Sequence, residues 1–199
     1  DLGHPERSTP ALIVAGTNGK GSVAALLASI ARAAGLDAGL YTSPHLENVE
    51  ERIRVDGREI ASADLGGLLR EVTSAARGIG HPSPTYFEAM TLSALLHSAR
   101  RKVDLAVLEV GMGGRLDATN LVDARLAVIT AIALDHQEWL GPTVDAIARE
   151  KAGVLRAGCP VVLSPQTPEA LAALNRIAAD HEAPGHRPAR GPKAEARHL

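Results

Sequence analysis

Residues 11–30 read ALIVAGTNGKGSVAALLASI. Five apolar residues, Ala11–Ala15, end at a glycine, which is the pattern of a short parallel strand buried on both faces. After a polar gap, Val23, Leu26, Leu27 and Ile30 recur at the i, i+3, i+4, i+7 spacing of an amphipathic helix, which Gly35 closes. Asp37–Tyr41 is the next apolar run. Strand, glycine loop, helix and strand make a βαβ unit. The loop, Gly16-Thr17-Asn18-Gly19-Lys20-Gly21-Ser22, has the parts of a phosphate cradle. Its glycines let backbone N–H groups turn inward, the helix N-terminus adds a favourable dipole, and Lys20 adds a full charge. Ser22 is a candidate contact for a phosphate or a magnesium ion. The common P-loop places a glycine where Val14 stands and a serine or threonine where Gly21 stands, so this loop is a variant. The competing reading is a plain glycine turn, which accounts for neither the lysine nor the position between strand and helix.

Outward from this unit the same periodicities continue. Ser43–Glu51 is polar without a period and reads as a loop. Ile53 and Val55 alternate with Arg52 and Arg54, which predicts a short exposed strand. Leu65, Leu68, Leu69 and Val72 mark a helix, and Gly78–Pro84 is a cluster of breakers. Thr85 is placed to cap the following helix, with Glu88 as its capping-box partner, and that helix should reach about Arg100. Val103–Val110 and Leu126–Ala133 read as two further buried strands. Thr143 caps a short helix to Ala152, Pro160–Leu163 is a strand, and Pro168–Ala179 is a last helix. The alternation predicts an α/β fold: a mostly parallel sheet flanked by helices, in a P-loop-type nucleotide-binding domain over residues 1–180. From Asp180 to Leu199 the chain is rich in Pro, His, Arg and Gly and has no apolar pattern, so residues 181–199 read as a disordered or non-native tail.

Composition narrows the function classes. Hydrophobic residues make up 45% of 199, enough for a core, but the only aromatics are Tyr41, Tyr86, Phe87 and Trp139, so that core must be aliphatic. Net charge is -2, which favours neither nucleic acid nor an anionic membrane as partner. A single cysteine, Cys159, fits a reducing cytosol, and no apolar run is long enough to span a bilayer. The expectation is a cytoplasmic, monomeric protein acting on small molecules. The chain begins at Asp1 rather than Met.

Three more residues carry chemistry. Glu109 ends the strand Val103–Leu108, and ligands of open parallel sheets gather at the carboxyl ends of strands. A carboxylate there can hold magnesium beside phosphates. His136 follows the strand Leu126–Ala133 and so belongs to the same edge, although a lone histidine is more often a hydrogen-bonded structural residue. Lys151 lies on the stripe of Val144, Ile147 and Ala148, and is thus an inward-facing lysine. Either its stem packs and its ammonium snorkels to water, or it enters the site as a charge or a modified ligand. Gly111–Asn120 (GMGGRLDATN) has three glycines beside the strand-end acid, which permits close approach to a ligand.

Taken together, AGTNGKGS, YTSPHL, ERIRVDG, TYFEAMT, LEVGMGGRLDATN, ITAIALDHQEWLG and REKAGV, running in order from about Leu12 to about Pro165, resemble the folylpolyglutamate synthase and dihydrofolate synthase family. That family lies within the wider group of Mur-type amide ligases. The resemblance implies ATP and Mg2+ as cofactors, with folate or dihydropteroate and L-glutamate as substrates. It implies that Thr17, Asn18, Gly19, Lys20, Gly21 and Ser22 bind ATP phosphates. It places one magnesium on Ser43 and Glu109 and a second on His136, and it makes Lys151 a carbamylated residue near that metal. Lys20, Lys151 and His136 would be the catalytic set. Thr85, Tyr86, Phe87, Glu88, Leu116, Asp117 and Ala118 would contact the pteroate or folate, with the two adjacent aromatics as a flat wall for a flat ring. The implied reaction is ATP-dependent ligation of glutamate through an acyl phosphate. The family's second, smaller C-terminal ligase domain is absent from these residues, as is a helix expected before Leu2. The chain thus reads as an incomplete central domain. Two alternatives stand beside this: a Mur-type ligase of a cell-wall nucleotide peptide, which YTSPHL and TYFEAMT disfavour, and a truncated nucleotide-binding module without turnover.

Overall fold

In the computed structural model, which describes residues 2–186, Ala11–Ala15 forms strand β1 near the middle of an eight-stranded sheet. The chain continues through α1 (Lys20–Ala33), β2 (Ala38–Tyr41), β3 (Ile53–Val55), β4 (Arg58–Glu59), α2 (Ser62–Gly78) and α3 (Tyr86–Arg101). Then follow β5 (Leu105–Glu109), β6 (Ala124–Ile129), α4 (Gln137–Leu140), α5 (Val144–Ala152), β7 (Val161–Leu163), α6 (Pro168–Asp180) and β8 (Gly185–His186). The strand order is β4-β3-β2-β5-β1-β6-β7-β8. Every pairing from β2 to β8 is parallel, while β3 and β4 extend the edge as an antiparallel hairpin. The α/β reading holds. Among the described residues no helix is long and apolar enough to cross a membrane.

Alternation along the strands divides the core. Ile13, Leu108 and Ile129 face the side covered by α2, α3, α5 and α6, whereas Val14, Val107 and Val128 face α1. α1 presents a different face from the one its bulkiest residues suggest. Ala24, Ala28 and Ala31 are buried against the sheet, whereas Leu26 is 61% exposed and Ile30 56%. Two stripes of helical period coexist in this segment, and the alanine stripe wins because small side chains let the helix lie close to the strands. The strand expected to be exposed instead buries Ile53 and Val55, and Ile53 joins Ile60 and side chains of α2 and α3 in one cluster. The stretch after Asp180 is also ordered for six residues: Gly185 and His186 pair with Val161 and Val162 of β7, and Ala183 is buried. The remainder of the expected tail, residues 187–199, lies outside the described residues.

β1, β5 and β6 are neighbours and parallel, so their carboxyl ends share one edge. The glycine loop leaves β1 there, Glu109 closes β5 there, and the segment leading to His136 leaves β6 there. Topology alone therefore brings three separated motifs to a single rim.

Candidate functional site

The loop between β1 and α1 is shaped by two glycines. Gly19, with φ 83°, turns the chain into the helix. Gly16 has φ 142°, and a Cβ there would stand 1.9 Å from Thr130 Oγ1, so no other residue fits without displacement. The segment leaving β6 is laced to this loop. The amides of Thr17 and Asn18 both donate to the Ala131 carbonyl, at 3.0 and 3.3 Å. The Thr17 hydroxyl donates to the Ala133 carbonyl at 3.1 Å and accepts from the Ala133 amide at 3.2 Å. From the other side the Gln166 side chain takes the Ile132 amide (3.0 Å) and donates to the Thr130 carbonyl (2.9 Å). Thr17 is thus occupied in holding the loop. The first-turn amides of α1 and the side chains of Lys20 and Ser22 are the groups left for phosphate oxygens. Lys20 lies back along the loop, with Nζ donating to the Thr17 carbonyl at 3.3 Å.

Glu109 is only 4% exposed. Its Oε2 accepts the Ser43 amide at 2.9 Å, and Gly21 of the loop lies close by, where a Cβ would stand 3.2 Å from the carboxylate. Burial raises its pKa, and the Ser43 hydrogen bond and the charges of Lys20 and Arg52 oppose that rise. A buried carboxylate held by a backbone amide, beside a serine and a phosphate loop, fits a magnesium ion. Mg2+ binds through one or two protein oxygens plus substrate phosphates and waters rather than in an all-protein cage. Among the described residues no group of three or more His, Cys, Asp and Glu side chains is arranged to hold a metal.

Lys151 is buried, at 2% exposure, on the inward stripe with Ile147 and Ala148. It does not snorkel to water. Its Nζ donates to the Gly16 carbonyl at 2.8 Å, pointing at the first residue of the phosphate loop. Its pKa is pushed down to about 8, first by burial and next by the charge of Lys20, against the opposing charges of Asp135 and Asp117. His136 is half exposed, with Nε2 3.5 Å from Asp135 Oδ1 and a left-handed φ of 44° at the start of α4. The structure therefore draws Glu109, Ser43, Lys20 and Lys151 around the loop, and sets His136 on the same rim without a hydrogen bond or ion pair to Glu109.

α3 begins as the sequence reading has it, with Thr85 and Glu88 forming a capping box. Thr85, Phe87, Glu88, Leu116, Asp117 and Ala118 line a cleft of about 480 Å3 together with Gly111, Trp139 and Glu150. Asp117 shapes one side by accepting the amides of Met112 and Thr119. An apolar cavity of about 680 Å3 shares Glu88, Asp117 and Ala118 with it and extends to Leu2, Val72 and Leu92. Tyr86 and Phe87 do not make one wall. Neighbours on a helix point about 100° apart. Phe87 packs on Gly111, where a Cβ would meet its ring at 2.5 Å, and near Tyr41. Tyr86 lies beneath Arg52. Sequence reasoning passed over Arg52, Asp135 and Gln166. Arg52 and Arg54 alternate with Ile53, and nothing local says which arginine turns inward. Gln166 acts through contacts 34 and 36 residues back in the chain.

The Mur ligase middle domain model matches residues 14–160. The Escherichia coli dihydrofolate synthase/folylpolyglutamate synthase is 49% identical over 160 residues, which are 80% of this chain and 37% of that protein. The Bacillus subtilis protein of the same name is 42% identical over 92% of this chain and 44% of its own length. Among solved structures, E. coli FolC in complex with DHPP and ADP superposes with a TM-score of 0.87 at 45% identity, covering 94% of this chain and 44% of that one. An FPGS-AMPPCP-folate complex gives 0.89 at 38%, covering 94% and 46%. The chain spans less than half the length of each of these relatives.

Proposed function

As the chain belongs to the Mur ligase middle domain family, among the folylpolyglutamate and dihydrofolate synthases, we propose that it supplies the ATP, magnesium and folate half-site of an ATP-dependent glutamate ligase. The substrates are dihydropteroate or a folylpoly-γ-glutamate, L-glutamate and ATP. The observation that carries this is the convergence of a lysine-bearing phosphate loop, a buried carboxylate at Ser43 and a buried lysine on Gly16, all within one sheet edge beside a glycine-rimmed cleft.

A carboxylate is a poor acyl donor because oxide is a bad leaving group. Transfer of the γ-phosphoryl group forms a bond from the carboxylate oxygen to phosphorus and breaks the bond to the β–γ bridging oxygen, which leaves on ADP. The glutamate amine then attacks the carbonyl, phosphate departs, and an amide remains after loss of a proton. The protein's part is mainly placement and charge. Gly19, Lys20, Gly21 and Ser22 hold the phosphates, with Lys20 opposing charge on the transferring group. Glu109 and Ser43 would hold one magnesium ion, and His136 a second on the same rim. When bound, the ions neutralise the phosphate oxygens. Thr85, Phe87, Glu88, Leu116, Asp117 and Ala118 hold the acceptor. Lys151 is carbamylated in the working enzyme: its depressed pKa leaves roughly one amine in five neutral near pH 7.4, and only the neutral amine attacks carbon dioxide. The conversion replaces a cation beside Lys20 with an anion, which removes a repulsion inside a dry site.

Two assays test this on the same protein: ADP or ATP binding, and ATP-dependent incorporation of labelled glutamate into dihydropteroate. Both positive is the expected result for a chain that carries out turnover. Nucleotide and pteroate binding without incorporation supports a half-site that needs the rest of the enzyme. Absence of nucleotide binding refutes the assignment.

A further inference from the structure

Arg52 is a buried cation that lacks an acid. It closes the 3-10 turn Val49–Arg52, which Glu51 ties down by accepting the amides of Leu46, Glu47 and Asn48. Its backbone carbonyl accepts the Thr42 amide at 3.0 Å, next to the Ser43 amide that holds Glu109. The side chain is only 9% exposed. Its Nε donates to His45 Nδ1 at 2.9 Å, and the guanidinium carbon lies 5.4 Å from the centre of the Tyr86 ring. Among the described residues no carboxylate comes within ion-pair distance of it, and its two terminal nitrogens make no hydrogen bond. Of the more exposed arginines, Arg54 pairs with Glu59 and Arg115 with Glu150.

The terminal nitrogens of Arg52 stay within reach of water, so an incoming anion exchanges hydration for charge-assisted hydrogen bonds. A ring face and an imidazole nitrogen answer one side of Arg52. The free side is a planar pair of N–H groups, the shape that binds a carboxylate or phosphate two-pronged. Position says which anion. Tyr86 stands between Thr85 and Phe87, both on the cleft, while Thr42 and Ser43 lead to Glu109 and the phosphate loop. The carboxyl group of an acceptor must pass from the first place to the second to meet a phosphoryl group. The charge of Arg52 reaches Glu109 without pairing with it, so the fork remains available while Glu109 serves the phosphate end.

We propose that Arg52 binds the reacting carboxylate of the acceptor through its terminal N–H groups and keeps hold of the same oxygens as the acyl phosphate forms. This rests on the ligase reading above. A tether that only fixes the loop through His45 and Tyr86 would not distinguish a charged acceptor from a neutral one, and the experiment uses that difference. Dihydropteroate and its carboxamide are titrated into the protein with ADP and magnesium present, followed by calorimetry or by the fluorescence of Trp139 at the cleft. The wild type should prefer the carboxylate. Arg52→Gln should weaken dihydropteroate roughly ten- to a hundredfold, the range for a lost charge-assisted pair, and leave the carboxamide within about twofold. Arg52→Lys, which keeps the charge without the fork, should fall between; it also serves as the test should the glutamine variant fail to fold. Equal losses for both acceptors, or a carboxylate preference as large in Arg52→Gln or Arg52→Lys as in the wild type, overturns the proposal alone. Failure of the wild type to bind dihydropteroate overturns the ligase reading and the proposal with it.

Discussion

Lys151→Met isolates the cost of keeping an ionisable amine inside the fold. Lys151 titrates at about 8 when folded against 10.5 when exposed, chiefly because burial disfavours its charged form. Between those values the unfolded chain binds more protons than the folded one, so the stability of the wild type rises as pH rises. Below pH 8 the full penalty applies, about 3 kcal/mol from a shift of that size. Integrating the two titrations, most of it, on the order of 2–3 kcal/mol, should be recovered between pH 7 and pH 10. Methionine matches the length of the stem and has no titration, so its stability lacks this rise. It does lose the hydrogen bond to the Gly16 carbonyl, a pH-independent cost on the order of 1–3 kcal/mol for an acceptor left unpaired. Urea unfolding of both proteins at several pH values, in buffer stripped of carbon dioxide, gives the difference curve, in which all other titrating groups cancel. The wild type should gain on the variant by about 2–3 kcal/mol across the range. A difference that is flat, or that runs the other way, refutes a buried, charge-starved Lys151, and with it the chemical basis for carbamylation.

Lys20→Ala should weaken ADP binding roughly a hundredfold or more while leaving the thermal midpoint nearly unchanged, because Nζ bonds only the Thr17 carbonyl within its own loop; calorimetry and a melting scan check both halves. Gly16→Ala forces a Cβ to 1.9 Å from Thr130 Oγ1 at φ 142°, so a loss of about 2–4 kcal/mol in chemical denaturation is expected together with loss of nucleotide binding. Gly111→Ala pushes on the Phe87 ring and should lower acceptor affinity with nucleotide affinity intact; equal loss of both would place Gly111 outside the cleft's function. Glu109→Gln removes a buried charge whose pKa burial has raised, so the unliganded protein should be at least as stable as wild type at neutral pH, while the effect of added magnesium on ATP binding disappears.

Much of this molecule is written locally. The strand–glycine loop–helix unit follows from residues 11–35, because buried strands and amphipathic helices have periods that differ and glycine marks the change between them. The capping box at Thr85 and Glu88, and the inward position of Lys151 on the Val144–Ile147–Ala148 stripe, follow in the same way from contacts within one turn. Fold class and the motif set were therefore legible without any tertiary information. What sequence by itself did not determine is which of several equivalent local choices the packing takes. α1 could bury leucines or alanines at helical spacing, and only the distance to the sheet selects Ala24, Ala28 and Ala31. Arg52 and Arg54 are alike in the chain, and only the placement of His45 and the Tyr86 ring makes one of them a buried cation. The partner of Lys151, the Gly16 carbonyl, lies 135 residues away, and Thr17 meets Ala133 across 116. Such pairings depend on strand order, which places β1 between β5 and β6, and strand order is a property of the packed sheet that no window of sequence contains.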